Sequence, residues 1–160
     1  MSDTLANDVR RQFERSFNTI KKIVETFPED KWLIPHGDEY YIPSRIAYHI
    51  AEYIDGMVAG RFMEPGFREN LPFGSWFEGT AETLPGKDAL LQYLKESVTR
   101  ADAVLAALDD EAVTAPLPQE MSRMGASKIS AHMSALREIA AHTGEINKML
   151  VENGIDDIWL

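Results

Sequence analysis

Four stretches of the chain repeat large apolar residues at steps of three and four, the spacing that places them on one face of an α-helix. Over residues 3–27 the stripe is Leu5, Val9, Phe13, Phe17, Ile20, Val24 and Phe27, with charged residues opposite and Pro28 as a stop. Over 44–63 it is Ile46, Ile50, Ile54, Met57 and Val58; Ser44 reads as the cap of the first turn and Pro65-Gly66 as the terminator. Residues 86–109 carry Leu90, Leu91, Leu94, Val98, Ala101, Leu105 and Leu108. Residues 126–152 carry Ile129, Met133, Leu136, Ile139, Ile146, Met149 and Leu150, and Gly154 is placed to end that helix. No stretch alternates apolar and polar residues for long enough, with turn chemistry, to build a sheet. The pattern predicts an all-α fold: one domain over 1–160, a bundle of four long antiparallel helices.

The connections are long for a bundle. Residues 28–43, 64–85 and 110–125 all exceed the usual helix–helix link, which allows a crossover topology. The second holds Phe67, Phe73, Trp76 and Phe77, aromatics that either plug one end of the bundle or line a pocket. The ending Ile155-Asp156-Asp157-Ile158-Trp159-Leu160 puts large apolar groups where chains are normally polar, so it is expected to dock on its own bundle or on a partner.

Composition narrows the function classes. The 160 residues are 44% hydrophobic and 26% charged, in the range of a packed globular chain. A net charge of -10 with scattered basic residues argues against nucleic acid and anionic membrane surfaces as partners. There is no cysteine, which removes disulfides, thiolate ligands and a cysteine nucleophile. The start Met1-Ser2-Asp3-Thr4 lacks the basic and apolar regions of a secretory signal, so a cytoplasmic location is expected.

The candidate chemistry lies in the histidines. His49 sits between Ile46 and Ile50, at the edge of the second stripe and turned toward the bundle. A polar ring there needs a partner. Glu138 and His142 are four apart and share one face of the last helix, an arrangement that can hold a divalent metal from one helix and is also a common surface pair. A carboxylate facing a core costs roughly several kcal/mol unless a cation offsets it. His132 lies about 80° round the helix from His142 and is a reserve ligand. His36, in Pro35-His36-Gly37-Asp38, reads as an exposed loop residue. Glu52, Tyr53 and Glu145 stand one turn from the two candidate histidines and could support them from behind or remain solvated.

Three local features resemble the DinB-like superfamily of bacterial four-helix bundles, which includes metal-dependent thiol transferases. They are the passage from Trp32-Leu33-Ile34-Pro35 into Ser44-Arg45-Ile46-Ala47-Tyr48-His49-Ile50, the run Glu138-Ile139-Ala140-Ala141-His142-Thr143-Gly144-Glu145, and the long loop between the second and third helices. The resemblance covers nearly the whole chain in the order and length of its elements. It implies a DinB-like topology with His49 and His142 as metal ligands. Glu138 stands where the family usually has the first of two last-helix histidines, and it completes a site of two imidazoles and one carboxylate. Such a set is compatible with zinc, nickel, manganese or iron(II), and ligand type alone does not choose among them; zinc or nickel is the expected ion. The implied activity is an enzyme acting on a small molecule, with a low-molecular-weight thiol as the candidate substrate for a transferase. A metal-dependent hydrolase and a non-catalytic metal- or ligand-binding bundle are the alternatives. Since the family often pairs its bundles, a homodimer is the expected association state.

Overall fold

A computed structural model describes residues 4–159. Met1–Asp3, where the first helix was expected to begin, and the terminal Leu160 lie outside the described residues. Helix α1 runs Thr4–Thr26, α2 Pro43–Tyr53, α3 Lys87–Ala106, α4 Asp110–Thr114 and α5 Lys128–Glu152. Among the described residues there is no strand; one isolated bridge joins Pro116 and Ser127. No described helix is long and apolar enough to cross a membrane.

The four long helices pack in a ring. Both α1 and α2 contact α3 and α5, so α1 and α2 face each other across the bundle, as do α3 and α5. That order explains the long links before α2 and after α3, because a chain stepping to the diagonal helix must cross an end of the bundle, whereas the 64–85 loop joins two neighbouring helices. The core is one continuous cluster built from the predicted stripes, with Phe13, Phe27, Trp32, Ile46, Ile50, Leu90, Leu94 and Ile139 almost wholly enclosed. Burying a side chain of that size contributes about 1.5–3 kcal/mol each before the loss of conformational freedom is counted.

Four expectations are corrected. Ser44 does not cap α2: Ile42 holds the cap position without a side-chain bond, Pro43 opens the helix, and the Ser44 hydroxyl donates to Pro85 O at 2.7 Å. Proline needs no partner for an N–H it lacks, so the serine is free to fasten the far end of the 64–85 loop. The second helix does not reach residue 63. It widens into a π-turn over Ile54–Val58 and breaks at Gly60, whose φ of +79° suits only glycine well. Met133 is 47% exposed because it lies about 120° round α5 from the buried Ile139. The 110–125 connection is not bare loop, since it contains α4 and a 3-10 helix over Gln119–Met124.

The π-turn has a consequence in the core. It carries Asp55, 1% exposed, whose carboxylate accepts from Arg61 at 2.8 Å, Arg100 at 2.6 Å and the Tyr93 hydroxyl at 3.1 Å. Gly56 in the same turn leaves room for the Phe67 ring, which would stand 3.0 Å from an added Cβ. At the C-terminus Gly154, at φ +78°, ends α5 as predicted. Ile155 and Ile158 then pack back on their own core, and Ile158 N–H donates to Asn147 Oδ1 at 3.0 Å, while Trp159 stays 60% exposed.

Candidate metal centre

His49 lies in the last α-helical turns of α2, and Glu138 and His142 on the middle of α5, the helix packed beside it. The apolar stripes of the two helices turn inward, which leaves residues at their edges to meet along the seam. There the three predicted side chains converge. His49 Nε2 is 3.5 Å and His142 Nε2 3.3 Å from the same oxygen, Glu138 Oε1. One donor atom from each residue lies within 4.8 Å of the other two. The two rings stand edge to face, 4.6 Å between centroids.

These distances fit a metal ion. Bonds of about 2.0–2.2 Å in a tetrahedral site place the donor atoms about 3.4 Å apart. The two edges that meet at Glu138 already have that length, and the third is no longer than 4.8 Å. The protonation pattern agrees. His142 Nδ1 donates to Glu145 Oε2 at 2.7 Å, since a carboxylate can only accept, which is the arrangement that would leave Nε2 to a metal in place of its 3.3 Å contact with Glu138 Oε1. Burial pushes the His49 imidazole below its ordinary value, and the neighbouring His142 adds to the effect against the pull of Glu138. A neutral ring is the form that ligates.

The His49 ring is positioned by stacking. Trp76 lies over it with centroids 4.0 Å apart and planes tilted by 36°. The 64–85 loop that brings Trp76 there is fastened by α2 itself. Arg45 donates to Phe77 O and Gly79 O at 2.6 Å each, and the Tyr48 hydroxyl to Gly74 O at 2.8 Å. Trp32 Nε1–H joins Ser44 on Pro85 O, at 3.0 Å. Both readings of the loop aromatics therefore hold in part. Phe73 packs into the core against Tyr48 and Tyr93, while Phe67 and Trp76 line a cavity of about 430 Å³ beside His49, and Phe77 is exposed. Neither the stacking of Trp76 on His49 nor the Arg45 contacts were read from the sequence, because no periodicity says where a loop folds back; Arg45 in an otherwise apolar helix start was the one available signal.

The remaining candidates separate from the centre. His132 sits against Phe13, edge to face at 5.8 Å, and lines a different, mostly apolar cavity of about 240 Å³ with Met57, Met121 and Met124. It does not join the three ligands. His36 is not an exposed loop residue: its side chain is 17% exposed, its ring meets Phe27, and Asn153 Nδ2–H donates to its Nε2 at 3.2 Å. Tyr53 stacks edge-on to His49 at 6.1 Å. Of the two glutamates considered for support, Glu145 holds His142, whereas Glu52 Oε2 is buried without a hydrogen-bond partner.

Fold and site together define a four-helix bundle with a cluster of two histidines and one glutamate, of metal-ligand spacing, in the seam between two of its helices. The chain belongs to the DinB superfamily, whose family model matches residues 12–146. No curated protein and no solved structure matches it. Family and cluster together fit a metal-binding protein of the DinB-like kind.

Proposed function

We propose that this protein is a metal-dependent enzyme, a transferase that uses a low-molecular-weight thiol, with one divalent ion held by His49, Glu138 and His142. The observation that carries the reading is the convergence of the two Nε2 atoms on one Glu138 oxygen, with the outer nitrogen of His142 already committed to Glu145. When bound, an ion with three protein ligands supplies Lewis acidity at an open coordination position, where it lowers the pKa of a water or thiol drawn to it. Zinc and nickel are the ions proposed first. The chain's own groups do the rest. Glu145 fixes the His142 ring, Trp76 and Tyr53 hold the His49 ring and keep bulk water from one face of it, and the adjoining cavity has the volume for a small substrate.

Metal analysis of the untagged protein tests this. The wild type should carry about one equivalent per chain. His49→Ala and His142→Ala should each abolish tight uptake, because two remaining ligands rarely retain a labile ion. Glu138→His should preserve or tighten it. Glu145→Gln should weaken affinity about 10–100-fold without abolishing it, as expected of a group that acts through a ligand. A wild-type protein that takes up no zinc, nickel, manganese or iron removes the proposal.

A further inference from the structure

The cavity of about 240 Å³ beside His132 lies between the end of α3, the π-turn, the 110–125 connection and the first turns of α5. Its wall is apolar, with Met57, Val58, Leu108, Leu117, Met121 and Met124 prominent, except for two side chains, Lys128 and His132. These stand four apart on α5 and so share a face. Among the described residues no acidic side chain lines the cavity, and neither does any of the three centre ligands. The half-buried Lys128 makes no side-chain hydrogen bond or ion pair among the described residues, in a chain whose 26 acidic residues outnumber its 16 Lys and Arg. Neither ring nitrogen of His132 has a hydrogen-bond partner there either, and neither is sealed off by protein atoms.

The two polar groups say what kind of occupant fits. An ammonium only donates, and a neutral imidazole can turn its N–H to an acceptor. A carboxylate accepts from both and meets the charge of Lys128. A cation would be repelled by Lys128. An uncharged apolar molecule would fill the space but strip water from the ammonium without replacing it, which is costly. The remaining wall wants an apolar body, and methionine side chains adjust to its shape. Size sets the limit: a cavity of about 150 Å³ holds benzene, so about 240 Å³ holds one ring with a short side arm or an alkyl chain of similar bulk.

We infer that this cavity is a second ligand site, which binds a small apolar carboxylate with its charged end at Lys128 and His132 and its apolar body among the methionines. Met57 and Met124 are also walls of the cavity onto which His49 opens, so the site adjoins the metal centre while remaining separate from it. The inference does not rest on the metal-centre reading.

The test titrates the full-length protein, with labelled methionine methyls, against phenylacetate and follows it by NMR. Met121 and His132 are the reporters, because both line this cavity and neither lines the one beside His49. Their signals should move saturably, with a dissociation constant of about 1 mM or below. Phenylacetamide, which has the ring without the charge, should bind about tenfold more weakly, and acetate, which has the charge without the ring, should not saturate. Lys128→Met keeps the side-chain length and removes the charge; it should bind phenylacetate no better than phenylacetamide, while Lys128→Arg keeps the preference. Phenylacetamide that still moves Met121 in Lys128→Met shows that the cavity has survived the substitution. His49→Ala should bind phenylacetate as the wild type does, so failure of the metal centre leaves the inference standing. Signals of Met121 and His132 that do not move, equal affinities for acid and amide, or a preference that persists in Lys128→Met each overturn it. Movement of the His49 and His142 signals in their place would put the carboxylate at the metal centre and overturn it as well.

Discussion

At the scale of single residues, the four histidines show how far neighbours decide a ring's role. His49 was legible from a stripe edge that points into a seam, and His142 from its i,i+4 pairing with Glu138; the family resemblance joined the two. His132 obeys the first rule and lacks the second. It is enclosed beside Phe13, and burial and the Lys128 cation both push its imidazole below the ordinary 6.5. The unfolded chain therefore binds a proton more readily than the native one. His132 contributes stability that is fully present above pH 6.5 and is lost as the pH falls through its lower native value. Urea unfolding of the metal-free protein at stepped pH should show that loss, and His132→Leu should flatten part of it while leaving metal uptake unchanged. An identical slope in the variant would remove His132 from the account. Glu52 was beyond sequence reasoning, since nothing in its spacing distinguishes an orphaned carboxylate from a solvated one.

At the scale of elements, periodicity located all four long helices and missed how α2 ends. The pattern runs on through Met57 and Val58, so the stripe alone argues for a helix that continues to Met63. What overrides it is one charged residue. The extra residue of the π-turn lets Asp55 meet Arg61 and Arg100 together with the Tyr93 hydroxyl. A partner 45 positions away cannot be read from local spacing. Asp55→Asn leaves two guanidinium groups without their counter-charge. Breaking a fully buried pair costs about 3–5 kcal/mol, but these arginines are 34% and 35% exposed and can turn toward water. The expected loss is about 2–3 kcal/mol, read as a lower urea midpoint at unchanged slope. A shift below about 0.5 kcal/mol would mean that the network is surface-like in solution.

At the scale of the whole molecule, the stripes predicted a bundle but not which helices are neighbours. That follows from loop paths, and the residues that set them, Ser44, Arg45, Tyr48 and Trp32, act on backbone carbonyls 26 to 53 positions away. Backbone acceptors carry no sequence signature, so the fold of the 64–85 loop over the α2–α5 seam became visible only in three dimensions.

That loop gives the protein an optical reporter of its own occupancy. Of the three tryptophans, Trp32 is enclosed in the core and Trp159 lies exposed on the tail, while Trp76 is stacked on a ligand ring. An open-shell ion such as cobalt(II) or nickel(II) at the centre would lie within a few ångströms of the Trp76 indole and drain its excited state. Intrinsic emission should therefore fall in a titration that breaks at one equivalent, with closed-shell zinc giving a much smaller change. Trp76→Phe should silence the response while uptake persists. Emission that ignores a bound open-shell ion would mean that indole and imidazole part company in solution.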